Sequence, residues 1–125
     1  MNYQFIGEVP IADYGVLLIR RKQPYIDWAN SFEDDGPKYD PASNHASAYL
    51  IPPFEQTEEV DEFIAANFET IFEEELSSWM EAPETWPEFS LDNFRKWLFV
   101  EYIDMVYDLI NPEWMEPPKG SDFDV

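Results

Sequence analysis

Three carboxylates within residues 90–110 have the spacing of a candidate metal site. Glu101, Asp104 and Asp108 are separated by three and four residues, so they share one stripe of the helix that the apolar pattern of this segment predicts. Oxygen ligands of this kind suit Mg²⁺ or Ca²⁺ and could assist a hydrolysis. The sequence offers no Glu-x-x-His pair, no calcium-binding loop and no second helix with matching acids. A solvated stripe is therefore the favoured interpretation, and we predict no cofactor.

A longer acidic region precedes this segment. Between Lys38 and Arg95 the chain contains no Lys or Arg, whereas acidic residues are frequent. The surface they form either keeps the protein soluble or docks a basic protein, as in an inhibitor, an immunity protein or a nucleic-acid mimic, because complementary charge speeds encounter and sets specificity. The predicted partner-binding residues are Glu69, Glu73, Glu74 and Glu75.

The run Glu73–Glu75 favours the docking interpretation. These carboxylates repel one another and lie near the C-terminal end of a predicted helix, where the helix dipole disfavours each by about 0.3–1 kcal/mol. A basic partner could offset this effect, and so could the cluster Arg20–Lys22 within the fold, which we expect to pair with acids. The alternative is a structural or oligomeric domain whose charge serves solubility alone.

Other catalytic signatures are lacking in the sequence. His45 is the single histidine, and only Ser43 and Ser47 lie near it along the chain, so we expect an exposed loop histidine rather than a catalytic base. The four glycines are isolated, which argues against a phosphate-binding loop, and the lack of cysteine excludes disulfides and thiolate chemistry. The sequence therefore predicts a non-enzymatic protein.

The composition predicts a folded and strongly acidic domain. Apolar residues make up 45% and aromatic residues 18% of the 125 residues, which is sufficient for a core. Because 27 acids stand against seven Lys and Arg, giving a net charge of −20, we expect no direct nucleic-acid binding and no membrane association. The sequence shows neither a basic-then-apolar leader nor a long apolar run, so the expected location is the cytoplasm.

Hydrophobic periodicity predicts the elements that position these residues. The predicted strands are 2–8, 16–22 and 48–51, the predicted helices are 24–31, 57–80 and 90–110, and 32–47 is predicted to be a mobile surface loop. The continuous apolar run Val16–Ile19 predicts a strand covered on both faces. Ser90 is the expected N-cap of the last helix.

These elements predict an α+β fold. Residues 1–111 are expected to form one domain and residues 112–125 a flexible acidic tail. A sheet of two or three strands is expected to pack against a long antiparallel pair of helices, 57–80 and 90–110, with one short helix beside them. Because the last helix is apolar around most of its circumference, its surplus face must cover the sheet or a second subunit. A homodimer is therefore an open alternative.

Three stretches occur in order within residues 14–110, namely KQPYIDWANS, AYLIPPF and NFETIFEEELSSWMEAPETWPEFSLDNFRKWLFVEYIDMVYDL. Together they resemble a group of small acidic bacterial proteins of unknown function. This resemblance implies a bacterial, cytoplasmic protein. It implies no activity, cofactor or catalytic residue, and it leaves the function open.

Overall fold

A computed structural model describes residues 4–5, 9–32, 38–40, 42, 45–110 and 115–116. Within these ranges the chain has an α+β fold, as predicted. Its elements in chain order are β1 (Gln4–Phe5), β2 (Gly15–Arg21), α1 (Gln23–Ala29), β3 (Ala46–Ile51), α2 (Thr57–Ser77), a 3-10 turn (Pro83–Thr85), α3 (Leu91–Trp97), β4 (Leu98–Ile103) and β5 (Met115–Glu116). The predicted pair of long helices is wrong, because α2 alone is long.

The main sheet has three antiparallel strands in the order β3-β2-β4. The central strand is β2, the segment for which the sequence predicts a strand at 16–22. Its alternate residues Leu17 and Ile19 are fully buried in a core shared with all three helices. Val16 and Leu18, on the opposite face, are only half-buried. The sequence predicts that both faces of β2 are covered, but only the face that carries Leu17 and Ile19 is fully buried.

The long helix α2 spans 21 residues and confirms the prediction for most of 57–80. Its buried apolar side chains recur at three- and four-residue intervals, which turns one stripe of the helix towards the sheet. These side chains are Val60, Ile64, Ile71, Phe72 and Leu76. The N-cap of α2 is Gln56, and its side chain makes no capping hydrogen bond. None of the helices within the described ranges combines the length and apolar character that a membrane crossing would require.

The segment 90–110 is not one helix. The predicted cap is confirmed, since the Ser90 hydroxyl accepts a hydrogen bond from the Asn93 amide at 3.1 Å. The helix α3 then ends after seven residues, and Leu98 adopts an extended conformation (φ −131°, ψ 133°). From there β4 pairs with β2, with Leu17 opposite Tyr102. This pairing supplies the sheet with its third strand.

No sequence feature marks the change from α3 to β4. The cause is tertiary, because β2 provides both a hydrogen-bonding edge and a cap for α3. The Lys22 amide donates to the Trp97 carbonyl at 2.9 Å, and Lys22 Nζ donates to the Arg95 carbonyl at 2.8 Å. These contacts satisfy carbonyls at the end of the helix. The aromatic and β-branched residues that follow are as well suited to a strand as to a helix.

Gly15 is required where β2 begins. The Tyr102 ring from β4 lies directly against it, and a Cβ atom at this position would be 2.6 Å from Tyr102 Cε1. The Tyr102 hydroxyl accepts a hydrogen bond from the Phe54 amide at 2.9 Å and donates one to the Phe54 carbonyl at 3.1 Å. Tyr102 therefore ties β4 to the segment after β3 by crossing over the glycine.

Part of the predicted loop 32–47 is ordered within the core. Tyr39 is buried, and the Asn30 side-chain amide bonds both to its backbone amide (2.7 Å) and to its carbonyl (3.2 Å). Ala46 and Ser47 belong to β3. The prediction of a mobile surface loop is therefore wrong for these residues, because their backbone and side chains have partners in the fold.

The chain ends are described only in part. Of the predicted strand 2–8, Gln4–Phe5 forms β1, which pairs antiparallel with Met115–Glu116. The predicted boundary at residue 111 and the rest of the predicted tail lie outside the described residues. Between these ends, Ile11 pairs with Tyr107, and the Ala12 amide donates to the Val106 carbonyl at 2.7 Å.

Candidate functional site

The exposed side of α2 carries a row of carboxylates. We call Glu58, Glu62, Glu69 and Glu73 the acidic face; their spacings of four, seven and four residues place them on one stripe, and all four are exposed. No described Lys or Arg forms an ion pair with any of them; the one exposed ion pair of this helix among the described residues joins Asp61 to Arg95 at 3.8 Å. The acidic face therefore presents uncompensated charge on a rigid helix.

The four predicted partner-binding residues fall into two groups. Glu69 and Glu73 belong to the acidic face. Glu74 is also exposed, and its charge adds to the effects of burial and of Glu75 that raise the pKa of Tyr49 in β3. Glu75 is 3% exposed, so it cannot present its carboxylate to a partner and is removed from the predicted surface. The sequence could not separate these residues, because only packing decides which side of the helix is covered.

Glu75 instead forms a buried charge cluster with residues of three other elements. Its Oε1 lies 3.4 Å from Arg21 Nε of β2, and its Oε2 accepts a hydrogen bond from the Tyr49 hydroxyl of β3 at 2.6 Å. The Glu75 carbonyl accepts a hydrogen bond from the Tyr25 hydroxyl of α1, also at 2.6 Å. The expected pairing of the basic cluster with acids is confirmed for Arg21, whereas Lys22 donates to the Arg95 carbonyl. This cluster joins the C-terminal end of α2 to both strands and to α1.

Aromatic rings hold Arg21 in place. Its guanidinium carbon lies 4.7 Å from the centroid of the Tyr25 ring and 5.5 Å from that of Tyr39, and Nη2 donates to the Ser78 hydroxyl at 3.0 Å. Cation–π contacts of this kind strengthen when water is excluded, and the Arg21 side chain is only 15% exposed. Arg21 is thereby fixed in one orientation at the end of β2.

Burial keeps both tyrosine hydroxyls of the cluster protonated. Loss of solvent raises the pKa of Tyr25 to about 12, against an ordinary value of 10. The pKa of Tyr49 is also raised, first by burial and then by the hydrogen bond to Glu75 and its negative charge. Both hydroxyls therefore remain hydrogen-bond donors to Glu75 across the physiological pH range.

A cleft of about 460 Å³ opens beside the buried charge cluster. It lies where the end of β2, the start of β3, the residues after α2 and residues 38–40 meet. We call it the polar cleft; its lining includes Arg21, Lys38, Tyr39, Asp40, His45, Ser47, Ser78 and Trp79. Its volume falls within the range of small-molecule sites. Apart from the cluster Arg20–Lys22, no local pattern indicates this cleft, since its residues are up to 58 positions apart (Arg21 to Trp79).

Among the described residues, the hydrogen bonds at His45 and Ser78 of the polar cleft do not form a pair of nucleophile and base. His45 is exposed, as expected, and makes no hydrogen bond to a described residue that would orient it as a base. Ser78 is already engaged, since its hydroxyl donates to the Glu75 carbonyl at 2.8 Å while accepting from Arg21. A nucleophile needs a base within hydrogen-bond reach, which these contacts do not provide.

The candidate metal ligands are not assembled. Glu101 lies in β4 on the sheet face away from the helices, whereas Asp104 and Asp108 follow the strand, so the predicted helical stripe does not exist. The Asp108 carboxylate accepts a hydrogen bond from the Ile110 amide at 2.9 Å. Over the described ranges, no group of three or more His, Asp or Glu side chains is placed to hold a metal ion. The prediction of three carboxylates on one stripe is therefore wrong.

The fold and these surfaces define a small α+β domain with one acidic helix face and one polar cleft. Comparison of the sequence with protein-family models gave no match, and the searches of curated proteins and of solved structures gave none either. The resemblance to small acidic bacterial proteins accordingly stays a prediction.

Proposed function

We propose that the protein is a non-enzymatic, cytoplasmic binding module that docks a basic protein through the acidic face of α2. The observation that carries this proposal is the row of exposed carboxylates on an ordered 21-residue helix, none of which has an ion-pair partner among the described residues. Carboxylates on a rigid helix keep a defined spacing, so they can match a complementary pattern of Lys and Arg. Such a pattern favours specific docking over the general repulsion that a charged tail provides.

The position of the acidic face on the helix supports the same conclusion. Glu73 lies in the last turns of α2, where the helix dipole disfavours a negative charge, and no basic residue lies in the last turn to compensate. By contrast, Glu58 and Glu59 lie in the first turn, where negative charge is stabilising. Glu73 therefore contributes little to the stability of the helix. A cationic partner would offset the unfavourable interaction between its charge and the helix dipole.

The test is affinity capture from a bacterial lysate at low and at high salt, read by mass spectrometry. The variant Glu62→Lys/Glu69→Lys/Glu73→Lys reverses the acidic face. A matched control, Glu81→Lys/Glu84→Lys/Glu88→Lys, changes the net charge equally at exposed positions between α2 and α3. We expect the wild type and the control to retain the same basic protein at low salt, with weaker retention at high salt.

The reversed face is expected to lower that retention by about tenfold or more, because like charges placed across an interface disfavour association by several kcal/mol. An equal loss of retention in both variants would show that net charge alone determines binding and would contradict a specific docking surface. Retention that is unchanged by reversal of the face would also refute the proposal.

A second role, as an oligomeric unit, is favoured by the sheet face opposite the helices. Leu50 and Phe99 are 67% and 43% exposed on the two outer strands, where they lie opposite Val16 and Arg20 of β2, respectively. Exposed apolar residues grouped on one face are typical of interaction surfaces. Sedimentation equilibrium of the wild type and of Leu50→Ser/Phe99→Ser tests this alternative: a dimer that dissociates in the variant supports it, and a monomeric wild type excludes it.

A further inference from the structure

The polar cleft lacks the strong excess of acids that the rest of the chain carries, because the charge of Arg21 is paired with Glu75 and the exposed lining has one charge of each sign, Lys38 and Asp40. Overall, 27 acids face seven Lys and Arg. Yet the cleft is lined by two of those seven cations, Arg21 and Lys38, by the single histidine, His45, and by one acid, Asp40. An anion that is repelled by most of the surface would therefore find its most favourable environment here.

Arg21 is built as a fixed anchor within this cleft. The Glu75 carboxylate forms an ion pair with Nε, the Ser78 hydroxyl accepts a hydrogen bond from Nη2, and the Tyr25 ring lies against the guanidinium. A guanidinium carries five N–H donors on three nitrogens, so these contacts leave Nη1 available to an oxyanion. Because the orientation of Arg21 is set by the fold, a ligand would not have to immobilise it on binding.

The acid in the cleft, Asp40, is engaged by the backbone beside it. Asp40 Oδ1 accepts a hydrogen bond from the Ala42 amide at 2.9 Å, so that carboxylate oxygen already has a donor. Lys38 lies two residues before Asp40 in the sequence, and its Nζ donates a hydrogen bond to the Phe32 carbonyl at 2.8 Å. An ammonium has three donors, so Lys38 can hold this carbonyl and an anion together. His45 also lines the cleft and adds a further donor.

The aromatic lining indicates that the ligand is larger than an inorganic ion. Trp79 lines the cleft and is half-buried, and its Nε1 already donates a hydrogen bond to the Ala29 carbonyl at 3.0 Å. Tyr39 supports it edge-on, with ring centroids 5.6 Å apart. The exposed part of Trp79 is thus apolar, and the cleft volume of about 460 Å³ exceeds what one phosphate or carboxylate group fills.

We propose that the polar cleft binds a small organic anion, in which a carboxylate or phosphate group contacts Arg21, Lys38 and His45 and a compact planar group lies against Trp79. This site is separate from the acidic face and does not depend on the protein partner. It extends the module from one binding surface to two, of opposite charge preference.

The test uses four simple probes that share a phenyl ring: phenyl phosphate, benzoate, the neutral benzamide and the cationic benzylamine. Amide and indole chemical shifts of the full chain are followed by two-dimensional NMR at moderate salt, which screens the long-range negative field. We expect saturable shifts at residues 38–40, 45–47 and 78–79 for one or both anions, with the stronger of the two identifying the oxyanion. Benzamide and benzylamine are expected to bind at least about tenfold more weakly, because they lack the charge-assisted contacts.

Two exposed cleft residues provide variants that leave the core intact. Lys38→Gln and His45→Gln are each expected to weaken anion binding by about threefold to tenfold. The control Lys96→Gln removes a cation outside the cleft, one that pairs with Asp92 at 2.9 Å, and is expected to change nothing. Tighter binding of benzylamine, shifts that do not saturate, or an equal effect of Lys96→Gln would each overturn the proposal.

Discussion

Glu73 and Glu75 lie two residues apart on α2 and have opposite environments. Glu73 is exposed and has no cationic partner among the described residues, whereas Glu75 is buried in an ion pair with Arg21 and accepts a hydrogen bond from Tyr49. Since the two residues are chemically identical, their roles depend entirely on which side of the helix the sheet covers. The buried acid determines how the elements are joined, and the exposed acid is available for a partner.

The comparison also explains why the acidic run is tolerated. A helix with three successive glutamates near its C-terminal end is disfavoured by its dipole and by repulsion between the side chains. Arg21 neutralises one of the three, and the two that remain on the surface are screened by solvent. We test the contrast between the buried and the exposed side of α2 with four predictions. Changes to the buried side should alter stability, and changes to the exposed side should alter binding.

The largest effect is expected for Arg21→Met. This change leaves the Glu75 carboxylate buried without its cation, which typically destabilises a protein by about 3–5 kcal/mol. Urea denaturation measures the loss. The control is Arg95→Met, which removes an exposed ion pair with Asp61 and should lose about 1 kcal/mol at most. Similar losses in the two variants would mean that the buried cluster has no special structural role.

A smaller effect is expected for Glu75→Gln. The amide retains an acceptor for the Tyr49 hydroxyl but removes the charge that Arg21 faces, so a loss of about 1.5–3 kcal/mol is expected from the weakened charge-assisted contacts. Glu73→Gln is the matched control on the exposed side and should stay within about 0.5 kcal/mol of the wild type. Equal effects of the two substitutions on the denaturation midpoint would contradict the different roles of the buried and the exposed glutamate.

The buried side should also respond to alkaline pH. Because burial raises the pKa of Tyr25 from 10 to about 12, the unfolded chain releases this proton first, and the folded state loses stability as pH rises through this window. Tyr49 shifts in the same direction. Below pH 10 this contribution is fully present.

Thermal unfolding recorded between pH 9 and pH 12 checks this expectation, and Tyr25→Phe provides the control. The variant lacks the hydroxyl proton, so its stability should fall less steeply over the same window. Tyr14→Phe, at an exposed position, should follow the wild type. A wild-type curve that is flat above pH 10 would contradict the burial of these hydroxyls.

The smallest effect on stability is expected for Glu69→Gln/Glu73→Gln. Removing two exposed charges that repel each other on the helix should change the free energy of unfolding by only a few tenths of a kcal/mol, with stabilisation as the expected sign. The same variant should lose part of its salt-dependent capture of a basic protein. A loss of stability above about 1 kcal/mol would show that these acids have structural partners.

Some features of this fold were predicted from local sequence because local interactions determine them. The spacing of Val60, Ile64, Phe72 and Leu76 predicts α2, and Ser90 caps α3 through contacts with its immediate neighbours. The apolar run at Val16–Ile19 predicts the central strand. In each case the deciding contacts lie within a few residues or depend only on the period of the pattern.

The strand β4 was missed because its conformation depends on a distant partner. Residues 98–103 fit a helical period, and no Gly or Pro separates them from α3. Pairing with β2, which lies about 80 residues earlier in the chain, selects the extended form. The predicted stripe of Glu101, Asp104 and Asp108 failed for the same reason, since its geometry required a helix.

The sequence alone determined the charge of the protein, the α+β class, the long helix and the central strand, because composition and periodicity carry that information. Only the tertiary structure decided which acids are buried and which are free. In β2, strand alternation turns Arg21 towards the helices and Arg20 towards the opposite sheet face, and the cleft beside Arg21 exists because distant segments converge on that end of the strand. Both binding surfaces proposed for this protein are therefore consequences of packing between elements that are far apart in the chain.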